Sequence, residues 1–242
     1  MDCSIAIGKE LHGKKHCEDC YIAFVDFLGF SRMIQDDTND EMLQRIRSVY
    51  YSCYNFEDAS VFGEIKIRIF SDNIVFAIPS RIAGSANSLL RFVSMILRHG
   101  LKNGFKPRGA ICQGRFYMDD IYVWGEGLVR AYNLESKVAL YPRIIIDHAV
   151  VSQLNDNIRK EYVNKDRDGI EYVNYLKSST KESDEDLMLL NKVITDIKDE
   201  IKEYEKDSCR NGKEICKLNW LLSFLIENQN RLSELLKCSP PL

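Results

Sequence analysis

The 242-residue sequence has no apolar run approaching membrane-spanning length; a helical span of hydrocarbon needs about 20 such residues. Excess charge is missing too. A net charge of -3 gives no reason to expect a nucleic-acid partner or a membrane surface. No G-x-G-x-x-G, P-loop, nucleophile elbow or sustained repeat is visible, so dinucleotide-binding, P-loop, hydrolase-elbow and solenoid readings have no support. Met1-Asp2-Cys3-Ser4 does not open a signal peptide, and a cytoplasmic location is expected. The eight cysteines are therefore read as reduced thiols, several in apolar runs (Cys53, Cys112, Cys216), rather than a disulfide framework.

What is present is ordinary for a soluble globular chain, 45% apolar and 29% charged, long enough for one sizeable core plus an appendage. His12, His16, Cys17 and Cys20 have zinc-ligand types at compact spacing. They lie within nine positions with no intervening fold to close a site, and are read as unrelated residues of an N-terminal arm, 1–19. The informative stretch is Ala23-Phe24-Val25-Asp26-Phe27-Leu28-Gly29-Phe30-Ser31. A buried strand ending in a lone carboxylate, followed by a glycine turn and a helix start, is a place to hold a metal-bound phosphate. Ile69-Phe70-Ser71-Asp72-Asn73-Ile74 places a second lone carboxylate between two β-prone runs, as at a hairpin tip.

Read in order, residues 20–28 predict a central strand and 31–56 one long or broken helix, from Ile34, Leu43, Ile46, Tyr50 and Cys53. Residues 64–70 and 74–79 predict a hairpin. Ser80 is placed to cap a helix carrying Leu89, Leu90, Val93, Ile96, Leu97 and Leu101 on one face, ended by Gly104 and Pro107. Strands follow at 108–118 and 121–124, then a helix at 126–140 with Leu128, Ala131, Tyr132 and Glu135 along one side, a strand at 143–147, and a turn with a last strand at 165–176. From 181 to 242 a helical hairpin is expected, helices 183–207 and 214–237 turning at Asn211-Gly212. Such a pair says that something apolar is covered, either the body of this chain or a partner. The interleaving of helices and hairpins points to an α/β or α+β sheet with helices on one side.

Four motifs, in order over about residues 20 to 150, resemble the catalytic domain of class III nucleotide cyclases. Phe24-Val25-Asp26-Phe27-Leu28-Gly29-Phe30-Ser31 is similar to the first metal motif of that family and Ile69-Phe70-Ser71-Asp72 to the second. Arg108-Gly109-Ala110-Ile111 is similar to the strand opening Arg-x-Gly-Ile. Val123-Trp124-Gly125 through Leu134-Glu135-Ser136 is similar to the helix that follows Trp-Gly. Within the family the chain most resembles the bacterial pyrimidine cyclases of Pycsar antiphage defence. The resemblance implies an α+β, ferredoxin-like domain over 20–180, an antiparallel-rich sheet with helices on one face. It implies a homodimer with sites at the interface, two Mn²⁺ or Mg²⁺ per site, a nucleoside triphosphate substrate, and a separate effector protein that reads the cyclic product.

By the same resemblance Asp26 and Asp72 would bind metal, with the Phe27 carbonyl as a further ligand. The N–H groups from Leu28 through Gly29 and Phe30 to Ser31 would cradle the triphosphate, and Arg108 would contact phosphate. The plainer roles are a helix N-cap for Asp26 and a turn residue for Asp72. Two departures stand out. The family's Asn and Arg on the helix after Trp-Gly fall here on Val129 and Asn133, but Arg130 and Asn133 share a helical face. The expectation is a swapped pair, Arg130 supplying charge at the transition state and Asn133 orienting the ribose; a solvent-facing Arg130 would instead mean a weak or dead enzyme. At the two positions that read adenine, this chain has Arg68 and Tyr122. Arg offers only donors and suits a carbonyl-bearing base edge, and a bulky Tyr favours a smaller base, hence UTP or CTP. The alternatives are a purine (GTP or ATP) cyclase, or a degenerate cyclase-fold nucleotide sensor.

Overall fold

The computed structural model describes residues 16–37, 39–53, 64–177 and 183–238. Most of the N-terminal arm, with His12, lies outside them. His16, Cys17 and Cys20 are described, and no group of three or more His, Cys, Asp or Glu residues placed to hold a metal occurs among the described residues. Cys20 is buried within a strand. None of the described helices is long and apolar enough to cross a membrane.

The sheet is built on β1 (Glu18–Phe27), whose neighbours are β3 (Asn73–Pro79) and β4 (Pro107–Met118), both antiparallel. β2 (Lys66–Phe70) pairs with β3 as the expected hairpin. On the other side β4 pairs in parallel with β6 (Ile144–Ile146), which pairs with β8 (Glu171–Val173), itself hairpinned to β7 (Val163–Lys165). The order is β2-β3-β1-β4-β6-β8-β7, with β5 (Val123–Trp124) folded back on the end of β4.

β1 is apolar on successive residues because both its faces are covered. Tyr21, Ala23, Val25 and Phe27 face the main core. There they meet α2 (Glu41–Ser52) through Ile46 and Val49, and α3 (Ser85–Lys102) through Leu89, Val93 and Ile96. Cys20, Ile22 and Phe24 face the other way, against α4 (Glu126–Lys137) at Ala131. The α+β class and the antiparallel-rich sheet are as expected, but helices are not confined to one face: α4 lies opposite the rest. A pair of glycines lets it do so. A Cβ on Gly114 of β4 would stand 2.7 Å from the Gly127 Cα, so helix and strand touch backbone to backbone there.

The remaining helices are α1 (Phe30–Gln35), α5 (His148–Val151), α6 (Asp156–Tyr162), α7 (Asp184–Glu205) and α8 (Ser208–Cys238). The helix expected over 31–56 is broken in two. Ser80 caps nothing: its hydroxyl donates to the Asp19 carbonyl (3.0 Å), and α3 starts five residues later after Gly84 in a left-handed conformation. The tail turns at Lys206-Asp207, earlier than Asn211-Gly212, and Gly212 lies inside α8. One helix-interior glycine costs only about 1 kcal/mol, too little to interrupt a helix anchored by packing. Leu190, Ile194, Leu221 and Leu225 of the tail share one core with the body.

Candidate active site

The two singled-out carboxylates meet. Asp26 closes β1 on its α4-facing side, and Asp72 sits in the β2–β3 turn beyond the last β1–β3 pair, Val25 with Ile74. Continuing that register sets Phe27 opposite Asp72. Ser71 takes a left-handed φ of 54° to make the turn, and its carbonyl accepts from the Tyr50 hydroxyl of α2. Burial holds that hydroxyl protonated, with Asp72 reinforcing the effect. The Asn73 side-chain amide donates to Asp72 Oδ1 at 2.9 Å.

Burial lifts the Asp26 carboxyl above its ordinary value. Arg108 opposes the rise, and Asp72 adds to it through its charge and a hydrogen bond between the two carboxyls. The Arg108 position follows from register, since it faces Asp26 directly across β1–β4. Its Nη2 lies 3.1 Å from Asp26 Oδ2, and the same nitrogen makes a closer ion pair with Glu135 of α4. Glu135 is 3% exposed; burial raises its pKa, partly offset by Arg108. Arg108 thus faces Asp26 and Glu135, while Asp72 stands close enough to Asp26 for its charge to act on it. Asp26 and Asp72 offer hard oxygen atoms of the kind a divalent cation takes, with Glu135 engaged by Arg108 behind them. The Phe27 carbonyl fits as well. The Leu28 N–H donates to the Lys106 carbonyl (3.0 Å), and the trans peptide therefore turns the Phe27 oxygen away from β4, toward the Asp72 side.

The same bond corrects one expectation. The Leu28 N–H is already used inside the fold and does not cradle phosphate. Gly29, φ 79°, is the N-cap of α1, and the Phe30 side chain is core, with its ring 6.4 Å from Phe105. Only backbone groups of Gly29, Phe30 and Ser31 remain for an anion. Arg108 likewise faces two carboxylates rather than an open phosphate position.

Arg68 and Tyr122 converge on one loop. Arg68 donates to the Asp119 carbonyl. The Asp119 carboxylate accepts from the Ile121 and Tyr122 N–H groups (2.8 and 3.0 Å) and the Tyr117 hydroxyl (2.7 Å). Tyr122 lies against Tyr117 with its ring exposed. On α4, Asn133 is half-buried, while Arg130 is 54% exposed at its side chain and ion-paired with Asp147, the residue before α5. Glu135 and Asp119 were not singled out as site residues. Glu135 did carry a signal, as a charge among the apolar residues along one side of its helix; Asp119 had none beyond its turn context. A cavity of about 780 Å³ lies elsewhere, between α1, the α3–β4 loop and α7, and reaches this site only at Gly29.

No family model and no curated protein matches the chain. Among solved structures, the adenylyl cyclase CyaB from P. aeruginosa superposes over 70% of this chain and 98% of its own, at 14% identity and a TM-score of 0.51. The guanylate cyclase domain of RhGC from Catenaria anguillulae, in complex with GTP, covers 66% and 98% at 14% identity and 0.49. The first of these shows the fold: this is the architecture of a class III nucleotide cyclase catalytic domain, with a helical hairpin added at its C-terminal side.

Proposed function

We propose that this protein is a nucleotide cyclase that converts a pyrimidine nucleoside triphosphate, UTP or CTP, to its 3′,5′-cyclic monophosphate and pyrophosphate. The observation that carries the reading is the convergence of Asp26 and Asp72, with the Phe27 carbonyl turned toward them, on a cyclase fold. In the reaction the 3′-hydroxyl loses its proton and bonds to the α-phosphorus, and the bond to the pyrophosphate oxygen breaks. Mn²⁺ or Mg²⁺ at the site would supply acidity for the hydroxyl and counter-charge for the leaving group. The protein's own part is to hold one acidic side chain near the end of β1 and the other in the neighbouring β2–β3 turn, and to fix the α1 start through Gly29. The base-reading pair, Arg68 and Tyr122, is supported by their meeting at one loop pinned by Asp119.

A homodimer completes the site. Tyr122, Trp124, Val129 and Tyr132 are large, apolar and exposed along α4 and the turn before it, a surface that suits a second copy. Arg130 and Asn133 from one subunit would then serve the carboxylates of the other. A cyclic pyrimidine nucleotide acting as messenger to an effector protein in antiphage defence is the biological setting this reading carries with it. A sensor that binds nucleotide without turnover is the second reading. It is favoured by one observation, the engagement of Arg130 by Asp147 within its own chain.

Incubation with ATP, GTP, CTP and UTP separately, with Mn²⁺, and product identification by mass spectrometry decides between them. Cyclic UMP or CMP, lost in Asp72→Asn, is the expected result. A purine product would move the base assignment. No product from any nucleotide, with metal-dependent binding retained, would replace the enzyme by the sensor.

A further inference from the structure

Arg108 is shared unequally between two acids. One nitrogen, Nη2, serves both Asp26 at 3.1 Å and Glu135 at closer range. The Glu135 side chain is 4% exposed against 16% for Asp26, so its charge is less screened by water. Arg108 makes no bidentate fork with either partner, and its Nε is buried without a hydrogen-bond partner. The guanidinium thus has donors to spare. Lacking Glu135, Asp26 would be its one acidic partner, and a fork-to-fork pair there would occupy the oxygens a cation needs.

We infer that Glu135 is a positioning residue that holds Arg108 back from Asp26 and so keeps the Asp26–Asp72 pair open to a divalent cation. The inference rests on the metal-binding reading of that pair given above. It differs from a simple field effect, in which any negative charge near the site would do, because it depends on reach. Aspartate at 135 keeps the charge but withdraws the carboxylate by one methylene.

The test is Mn²⁺ binding to the full-length protein without nucleotide, followed by the paramagnetic resonance signal of free Mn²⁺. Glu135→Asp is expected to weaken binding about tenfold, the scale on which partners of metal ligands act, and Glu135→Gln at least as much. An uncharged pair, Arg108→Gln with Glu135→Gln, removes the competitor and is expected to bind as tightly as the unmodified protein, which also serves where the single variants fail to fold. Glu135→Asp within twofold of the unmodified protein, or weak binding by the uncharged pair, overturns the inference while leaving the metal site standing. Failure of the unmodified protein to bind Mn²⁺, with Asp72→Asn indistinguishable from it, removes the metal-site reading and this inference together.

Discussion

Arg143 shows what a single residue carries in this fold. Its side chain is 1% exposed, ion-paired with Asp166 and Asp168, and lies over the rings of Tyr141 and Trp220 at 5.4 and 5.9 Å. Trp220 of α8 donates to the same Asp166 at 2.7 Å, so the guanidinium joins the body to the tail. Removing one partner of a buried pair costs about 3–5 kcal/mol. Arg143→Ala is expected to lower unfolding free energy by that amount in urea titration, and Arg143→Lys to recover little, since an ammonium cannot span two carboxylates while stacking on two rings. Arg130 is the opposite case. Its pair with Asp147 is solvent-exposed on the arginine side and worth about 0–1 kcal/mol. Arg130→Ala is therefore expected to leave urea stability nearly unchanged while lowering kcat by about 10²–10³, the scale of a lost electrostatic donor at a transition state. Unchanged turnover in that variant would sink the swapped Arg130–Asn133 pair.

Among the elements, α4 is the one on which most depends. It carries Glu135 inward and Arg130 outward, and its height over the sheet is set by the Gly114–Gly127 contact. Gly127→Ala would push a methyl against the β4 backbone, 3.1 Å away, and against Ile22 Cδ1 at 2.6 Å. Overpacking of this kind costs about 1–3 kcal/mol. A fall in thermal midpoint together with weakened Mn²⁺ binding is expected, because tilting α4 moves Glu135.

The sequence made the strands legible where periodicity and turns agreed: β1, the β2–β3 hairpin and β4 fall within two residues of expectation. Both carboxylates were legible because each interrupts an apolar run. The start of α3 was not, because a serine with capping chemistry was preferred over Gly84, whose backbone alone makes the turn. Nor was the tail turn, where a local Asn-Gly signal lost to packing of α8 on the core. The Arg108–Glu135 pair is 27 positions apart in sequence and is created only when α4 crosses β4, which no local pattern encodes.

At the scale of the molecule, the tail hairpin completes the core instead of hanging from it. Leu221 and Leu225 are fully buried, and Phe224 packs against Tyr172 and Tyr175 at 6.1 and 5.3 Å. A chain ending at residue 182 would uncover the apolar surface around Tyr172 and Tyr175, at about 1.5–3 kcal/mol for each large side chain exposed. It is expected to be insoluble, or to bind a hydrophobic dye while retaining far-ultraviolet dichroism. A compact, monodisperse truncated protein would instead make the hairpin a detachable regulator. The tail also engages the face opposite α4, so the hairpin does not cover the exposed aromatic side of α4.

The strand order has a consequence for how copies can meet. Among the described residues its outermost strands are β2, five residues that include Lys66 and Arg68, and β7, three residues ending in Lys165. Short outer strands bearing cations are poor templates for adding another chain's backbone. Growth of the sheet from one molecule into the next is thereby disfavoured at both rims. Any association between copies would then run through side chains on a face, and a self-complementary patch there closes at two copies.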